Sequence, residues 1–156
     1  MFLYLVQHAE AKSKEEDPAQ GLSEKGIQNI IKIAQFASKM EIKAFQIIHS
    51  GKARAMQTAR VLADYLKMEK GIIESDGLAP MDEPKIWVER ISATKEDIIL
   101  VGHLPHLGKL TSLLLCGNQE LNIVDFRMGG IVCLKRFEAG IDKWAVEWMI
   151  TPEVIK

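Results

Sequence analysis

A chain of 156 residues, 47% of them apolar, has the length and composition of one ordinary domain. Such a domain buries roughly two-thirds of the surface it exposes when unfolded. The formal net charge of −1 argues against a strong electrostatic hold on nucleic acid or on an anionic membrane surface. A single cationic pocket would disappear in that sum.

Phe2–Val6 is a continuous apolar run, the pattern of a strand buried on both faces. No basic segment precedes it, and a run that stops at Val6 is too short for a signal peptide or a membrane span. With no other long apolar run, the expected compartment is the cytoplasm. Lys12–Gly21 is a polar loop whose Glu15, Glu16 and Asp17 read as a solvated face. Ser23 stands where it can N-cap a helix with a stripe of Ile27, Ile30, Ile31, Ala34 and Ala37.

Phe45–Ile48 is the second strand, and Ala55, Ala59, Leu62, Ala63 and Leu66 are the stripe of the helix after it. Ile72 and Ile73 mark a short third strand. Pro84, a favoured first helical residue, opens a helix that buries Ile86, Trp87 and Ile91 in some combination. Ile98–Val101 is the fourth buried strand, followed by a helix on Leu107, Leu110 and Leu114.

The C-terminal quarter is different. Ile131–Phe137 and Trp144–Ile150 flank a six-residue turn, Glu138 to Lys143, and Trp144, Val146, Trp148 and Ile150 alternate as in a half-buried strand. This predicts a hairpin added antiparallel to the sheet. Taken together the pattern predicts one α/β domain over residues 1–156, a three-layer α/β/α fold with a mostly parallel sheet and a C-terminal antiparallel hairpin. Cys116 and Cys133 lack CxxC spacing, sit in apolar surroundings, and are expected to be buried and reduced.

The chemistry-bearing residues fall just beyond the carboxyl ends of the predicted parallel strands. Gln7-His8-Ala9-Glu10 follows the first, His49-Ser50-Gly51-Lys52-Ala53-Arg54 the second, and Gly102-His103-Leu104-Pro105-His106 the fourth. Open α/β sheets bind ligands along that edge. Histidines converging with an arginine suit phosphoryl transfer, because imidazole is a competent nucleophile near neutral pH and a guanidinium matches the charge on the transferring group. The four histidines show neither HxH nor HExxH spacing and have no carboxylate cluster, so neither a metal nor a cofactor is expected.

The ordered motifs carry a resemblance. Leu5-Val6-Gln7-His8-Ala9-Glu10-Ala11 resembles the RHG-type signature that opens the histidine phosphatase superfamily (phosphoglycerate mutase-like). Leu22-Ser23-Glu24-Lys25-Gly26, Ser50 to Ala59, and Val101-Gly102-His103-Leu104-Pro105-His106 follow in that family's order. The short length, His103-Leu104-Pro105 and the end Trp148-Met149-Ile150-Thr151-Pro152 are similar to the SixA branch of compact phosphohistidine phosphatases. The resemblance implies that His8 is the phosphorylated nucleophile, that Arg54 binds phosphate, and that His103 lines the pocket and stabilises the transferring group. It also implies metal independence and a substrate that is a phosphohistidine-bearing protein or a small phosphorylated molecule.

Small-ester enzymes of the family carry an acidic proton donor after the third strand, where Asp82 and Glu83 are the nearest candidates here. Gln7 departs from the family's arginine: it can donate hydrogen bonds but brings no charge and no fork. Lys52, two residues before Arg54, is expected to return some positive charge to a phosphate site made of Gln7, Arg54, His103 and Lys52. His49 and His106 match no family position with a chemical role and read as structural. A small-molecule phosphomonoesterase, or a weakly active phosphate-binding relic caused by Gln7, are the alternatives to a phosphohistidine phosphatase.

Overall fold

In the computed structural model, which describes residues 1–138 and 142–156, the chain runs β1 (Phe2–Gln7), α1 (Glu24–Lys39), β2 (Lys43–Ala44), β3 (Gln46–His49), α2 (Ala53–Tyr65), β4 (Lys67–Met68), β5 (Ile72–Glu74), α3 (Pro84–Ser92), β6 (Ile98–Gly102), α4 (His106–Cys116), β7 (Ile131–Arg136) and β8 (Trp144–Ile150). One sheet has the order β5-β3-β6-β1-β7-β8. The first four of these are mutually parallel, and β7 and β8 add antiparallel at one side. The short parallel pair β2–β4 is a separate element that the sequence pattern does not announce.

Period-2 alternation divides the core between two faces. Tyr4, Val6, Ile47, Ile99, Val101, Ile131 and Cys133 pack under α1 and α2. Leu3, Leu5, Ile98, Leu100, Val132 and Leu134 pack under α3 and α4, against Trp87, Ile91, Leu107 and Leu110. This is the expected three-layer α/β/α arrangement, with a mostly parallel sheet and antiparallel C-terminal strands.

Three expectations are corrected. The buried stripe of α1 is Gly26, Ile30, Ile33, Ala34 and Ala37, and Ile27 is 42% exposed. The helix is turned by its first-turn contact: Gly26 sits directly on the Glu10 carbonyl, and only a residue without Cβ permits that approach. Ser23 does cap this helix, accepting the Gly26 N–H at 3.0 Å. In β8 the alternation breaks. Trp144 and Val146 pair with Arg136 and Leu134, but Trp148 and Ile150 pair with Cys133 and Ile131. Glu147 is the extra residue of a bulge, so Trp144 joins the α3–α4 face while Trp148 and Ile150 pack on the α1–α2 face. Cys133 is buried as expected, but Cys116 is exposed at the end of α4, beyond the last buried leucine, Leu114. Of the expected hairpin turn, residues 139–141 lie outside the described residues.

The Gly26 contact generates a test. A Cβ there would overlap the Glu10 carbonyl, whereas one at Gly108 in α4 would make ordinary contacts, the nearest at 3.7 Å. Gly26→Ala should cost about 1–3 kcal/mol, a fall of roughly 3–10 °C in Tm for a chain of this size. Gly108→Ala should be neutral or stabilising by up to about 1 kcal/mol. Equal thermal shifts for the two would contradict the packing described.

Candidate active site

Strand register builds the site. Gln7 is level with Gly102, and His49 with Val101, so the next residues, His8, His103 and Ser50, emerge side by side at the carboxyl edge of β1, β6 and β3. The His8 N–H donates to the Gly102 carbonyl at 3.1 Å, and the two imidazoles stand with ring centroids 5.0 Å apart. The Ala9 N–H donates to Thr58 Oγ1 at 3.0 Å, and Thr58 donates to the Arg54 carbonyl at 2.8 Å. Thr58 thereby ties the His8 loop to the first turns of α2. Gln57 makes a second tie, accepting the Leu22 N–H at 2.7 Å.

Nδ1 of His8 lies 2.7 Å from the Ala9 carbonyl oxygen. A carbonyl can only accept, so the proton of the neutral ring belongs on Nδ1 and Nε2 keeps a bare lone pair. Burial lowers the His8 pKa; the bond to Ala9 raises it and the Arg54 charge lowers it again. The neutral, nucleophilic form therefore persists below the ordinary histidine range.

His103 is pushed down to about 3, first by burial and then by the charges of His8, Arg54, Lys52 and His106. Its Nε2 is 2.6 Å from Ser50 Oγ, and its Nδ1 has no partner. Arg54 is half-buried in the first turn of α2, a helix whose N-cap, Lys52, contributes no side-chain cap. Among the described residues no carboxylate forms an ion pair with Arg54. A guanidinium beside the positive end of a helix favours a negative charge there. Lys52 is exposed, and its charge reaches His103.

Gln7 ends β1, with its backbone carbonyl accepting the Gly129 N–H at 2.9 Å. Its Oε1 is buried without a hydrogen-bond partner. The acidic candidates make local hydrogen bonds: Asp82 accepts the Ala79 N–H at 2.9 Å, and Glu83 caps α3 by accepting the Lys85 N–H at 3.3 Å. Their charges act on His106 and oppose the lowering of its pKa by burial. His106 is fully buried at the start of α4. His49 is also buried, accepting the Gly51 N–H on Nδ1 at 3.1 Å. Among the described residues no group of three His, Cys, Asp or Glu side chains is placed to hold a metal ion, and no helix is long and apolar enough to cross a membrane.

Sequence reasoning assigned no role to Ser50, Gln57 or Thr58. The signal was present for two of them: Arg54, Gln57 and Thr58 at i, i+3 and i+4 share one polar face in the first turns of the helix.

Comparison with known proteins adds to this geometry. Residues 3–87, more than half of the chain, match the family model described as Histidine phosphatase superfamily (branch 1). No curated protein matches the sequence. Among solved structures, the protein histidine phosphatase SixA complexed with tungstate superposes over 100% of both chains, with TM-score 0.87 and 19% identity. An alpha-ribazole phosphatase from Shigella flexneri covers 97% of both chains, with TM-score 0.75 and 15% identity. A phosphoserine phosphatase from Entamoeba histolytica covers 97% of this chain and 98% of its own, with TM-score 0.72 and 14% identity. At these identities the likeness is one of fold.

The burial that keeps His103 neutral makes the fold acid-sensitive. Unfolded, the ring titrates near 6.5, and folded near 3, so below pH 6.5 the unfolded chain binds a proton that the folded chain refuses. Stability is full above pH 6.5 and falls as pH drops toward 3. At pH 5 this residue should account for about 2 kcal/mol of the loss, at about 1.4 kcal/mol per unit over about 1.5 units. Urea unfolding at pH 7 and pH 5 checks this. The loss should be smaller by about that amount in His103→Asn, and equal losses would refute the assignment.

Proposed function

Because the chain belongs to the histidine phosphatase superfamily (branch 1), we propose that it hydrolyses phosphohistidine, on a protein or a small molecule, through a phosphoenzyme at His8. The observation that carries this is the bare Nε2 of His8, fixed by the 2.7 Å contact of Nδ1 with the Ala9 carbonyl beside an arginine with no carboxylate partner among the described residues. Nε2 attacks the phosphorus, the bond from phosphorus to the leaving group breaks, and water then displaces phosphate and frees the imidazole. Arg54 and Lys52 balance the charge on the phosphoryl oxygens, and His103 lines the pocket beside the attacking ring.

The preference for a P–N bond rests on the acidic residues. Asp82 and Glu83 are spent on backbone N–H groups and act on His106, which leaves an alkoxide without an evident proton donor. A protonated imidazole leaves as a neutral base and needs none. The SixA likeness over the full chain agrees with this choice. Catalysis proceeds without a metal, the cations of the site doing its electrostatic work, and the whole chain acts as a single domain in the cytoplasm.

One experiment tests the proposal: phosphohistidine, phospholysine and simple phosphomonoesters are compared in EDTA, with rapid quenching for a phosphoenzyme. An acid-labile, base-stable phosphoenzyme lost in His8→Ala, with phosphohistidine preferred, is the expected result. Equal specificity constants for an alkyl phosphate would move the function to phosphomonoester hydrolysis. Phosphate release from none of them would make the chain a binding relic, and activity restored only by a divalent metal would replace the mechanism.

Gln7 supplies a second test. Restoring the guanidinium with Gln7→Arg should tighten vanadate binding about 10- to 100-fold, the worth of one charge-assisted hydrogen bond at about 1.5–3 kcal/mol. The gain should be larger in a Lys52→Ala background if Lys52 already fills that space. No change in either background would place Gln7 outside the anion pocket.

A further inference from the structure

We propose that Ser50 is a further residue of the phosphoryl site: its hydroxyl accepts the N–H of His103 and donates its own hydrogen to the bound phosphoryl group. This rests on the phosphatase function inferred above and assigns the site one more direct contact.

The case begins with hydrogens. Ser50 Oγ stands 2.6 Å from His103 Nε2, and the Lys52 backbone N–H points at the same oxygen from 3.4 Å. His103 is only 1% exposed, and its Nδ1 has no partner. If the ring proton sat on Nδ1, an N–H would be left unpaired in the interior, which carries a desolvation cost. With the proton on Nε2, the buried orphan is a lone pair, and the short contact becomes an N–H donated to Ser50.

That choice settles the hydroxyl. It has two lone pairs and one hydrogen. His103 Nε2–H takes one lone pair, the Lys52 N–H takes the other, and the hydrogen has no acceptor in the protein among the described residues. The Glu74 carboxylate lies against the neighbouring Gly51 but takes no hydrogen bond from Ser50, whose hydroxyl meets only His103 and the Lys52 N–H among the described residues, so the hydrogen is free for an acceptor that comes with the ligand. A phosphoryl oxygen supplies it, and the chain His103 Nε2–H to Ser50 O–H to phosphoryl oxygen runs in one direction. The backbone holds this arrangement: Gly51 follows with φ +88° and donates its N–H to His49 Nδ1, a turn that glycine adopts without strain.

A Ser–His nucleophilic dyad would use the same contact differently. His103 is too weak a base for that role with its pKa pushed to about 3, and no carboxylate orients its Nδ1. Ser50 therefore donates to the phosphoryl group and does not attack it.

Two measurements decide the matter. Nitrogen-15 spectra of histidine-labelled resting enzyme at pH 7 should show His103 protonated on Nε2 and bare on Nδ1. Orthovanadate titration should show Ser50→Ala weakened about 10- to 100-fold, with Ser50→Thr, which keeps the hydroxyl, within about threefold of wild type. A proton on Nδ1 in the wild-type spectrum overturns the proposal, as does unchanged vanadate affinity in a folded Ser50→Ala. If Ser50→Ala does not fold, the wild-type spectrum and Ser50→Thr carry the decision: weak vanadate binding by the threonine variant counts against the proposal. A wild-type protein that binds no vanadate and releases no phosphate fails earlier, at the phosphatase function, and the spectrum still reports whether Ser50 receives the His103 N–H.

Discussion

Three parallel strands, β3, β6 and β1, end level with one another, and the site exists because they do. Parallel pairing aligns all carboxyl ends on one edge, and the pairs Gln7–Gly102 and His49–Val101 put the first residue after each strand within reach of the others. A slip of one residue in either pairing would turn alternate side chains to the opposite face. It would separate His8 from His103 and also bury the wrong halves of β1 and β6. The core and the site therefore specify the same register. The hydrophobic division of Leu3 and Leu5 from Tyr4 and Val6 is what holds two imidazoles 5.0 Å apart.

Charge follows from the same placement. Two histidines so close cannot both be protonated beside Arg54 without mutual repulsion, and burial works in the same direction. The pocket settles as two neutral rings beside the charges of Arg54 and Lys52. No carboxylate forms an ion pair with Arg54 among the described residues, so its counter-charge is left to whatever binds. Thr58 matters to this balance although it carries no charge: by bonding both Ala9 and the Arg54 carbonyl, it ties the His8 loop to the first turn of α2.

Much of this was legible in the residues. The apolar run Phe2–Val6, the Ser23 cap and the position of Gln7, His8, Arg54 and His103 at strand ends all follow from period, cap chemistry and the geometry of open α/β sheets. What was not legible shares one cause. The turn of α1 depends on Gly26 meeting the Glu10 carbonyl, the face change in β8 depends on a bulge at Glu147, and the Ser50–His103 bond joins residues 53 positions apart. Each is a contact between distant segments, and local periodicity carries no information about those. Ser50 was within a motif, yet its partner becomes visible only when β3 and β6 are neighbours.

Gln7 then bears on which reaction such a pocket suits. Under the proposed function an arginine in its place would add a charge-assisted bond to the phosphoryl oxygens, and glutamine offers less stabilisation as the bond to the leaving group breaks. That loss weighs differently on different substrates. An alcohol leaves as an alkoxide, whose conjugate acid is about as weak as water, near pKa 15.7, and it needs both strong charge stabilisation and a proton. An imidazole leaves with a conjugate acid near pKa 6.5, so its departure is already favourable near neutral pH. The proposed reaction therefore asks least of the site when the leaving atom is such a nitrogen. Glutamine at position 7 and the local hydrogen bonds of Asp82 and Glu83 are therefore the two features on which the proposed preference for a P–N bond rests.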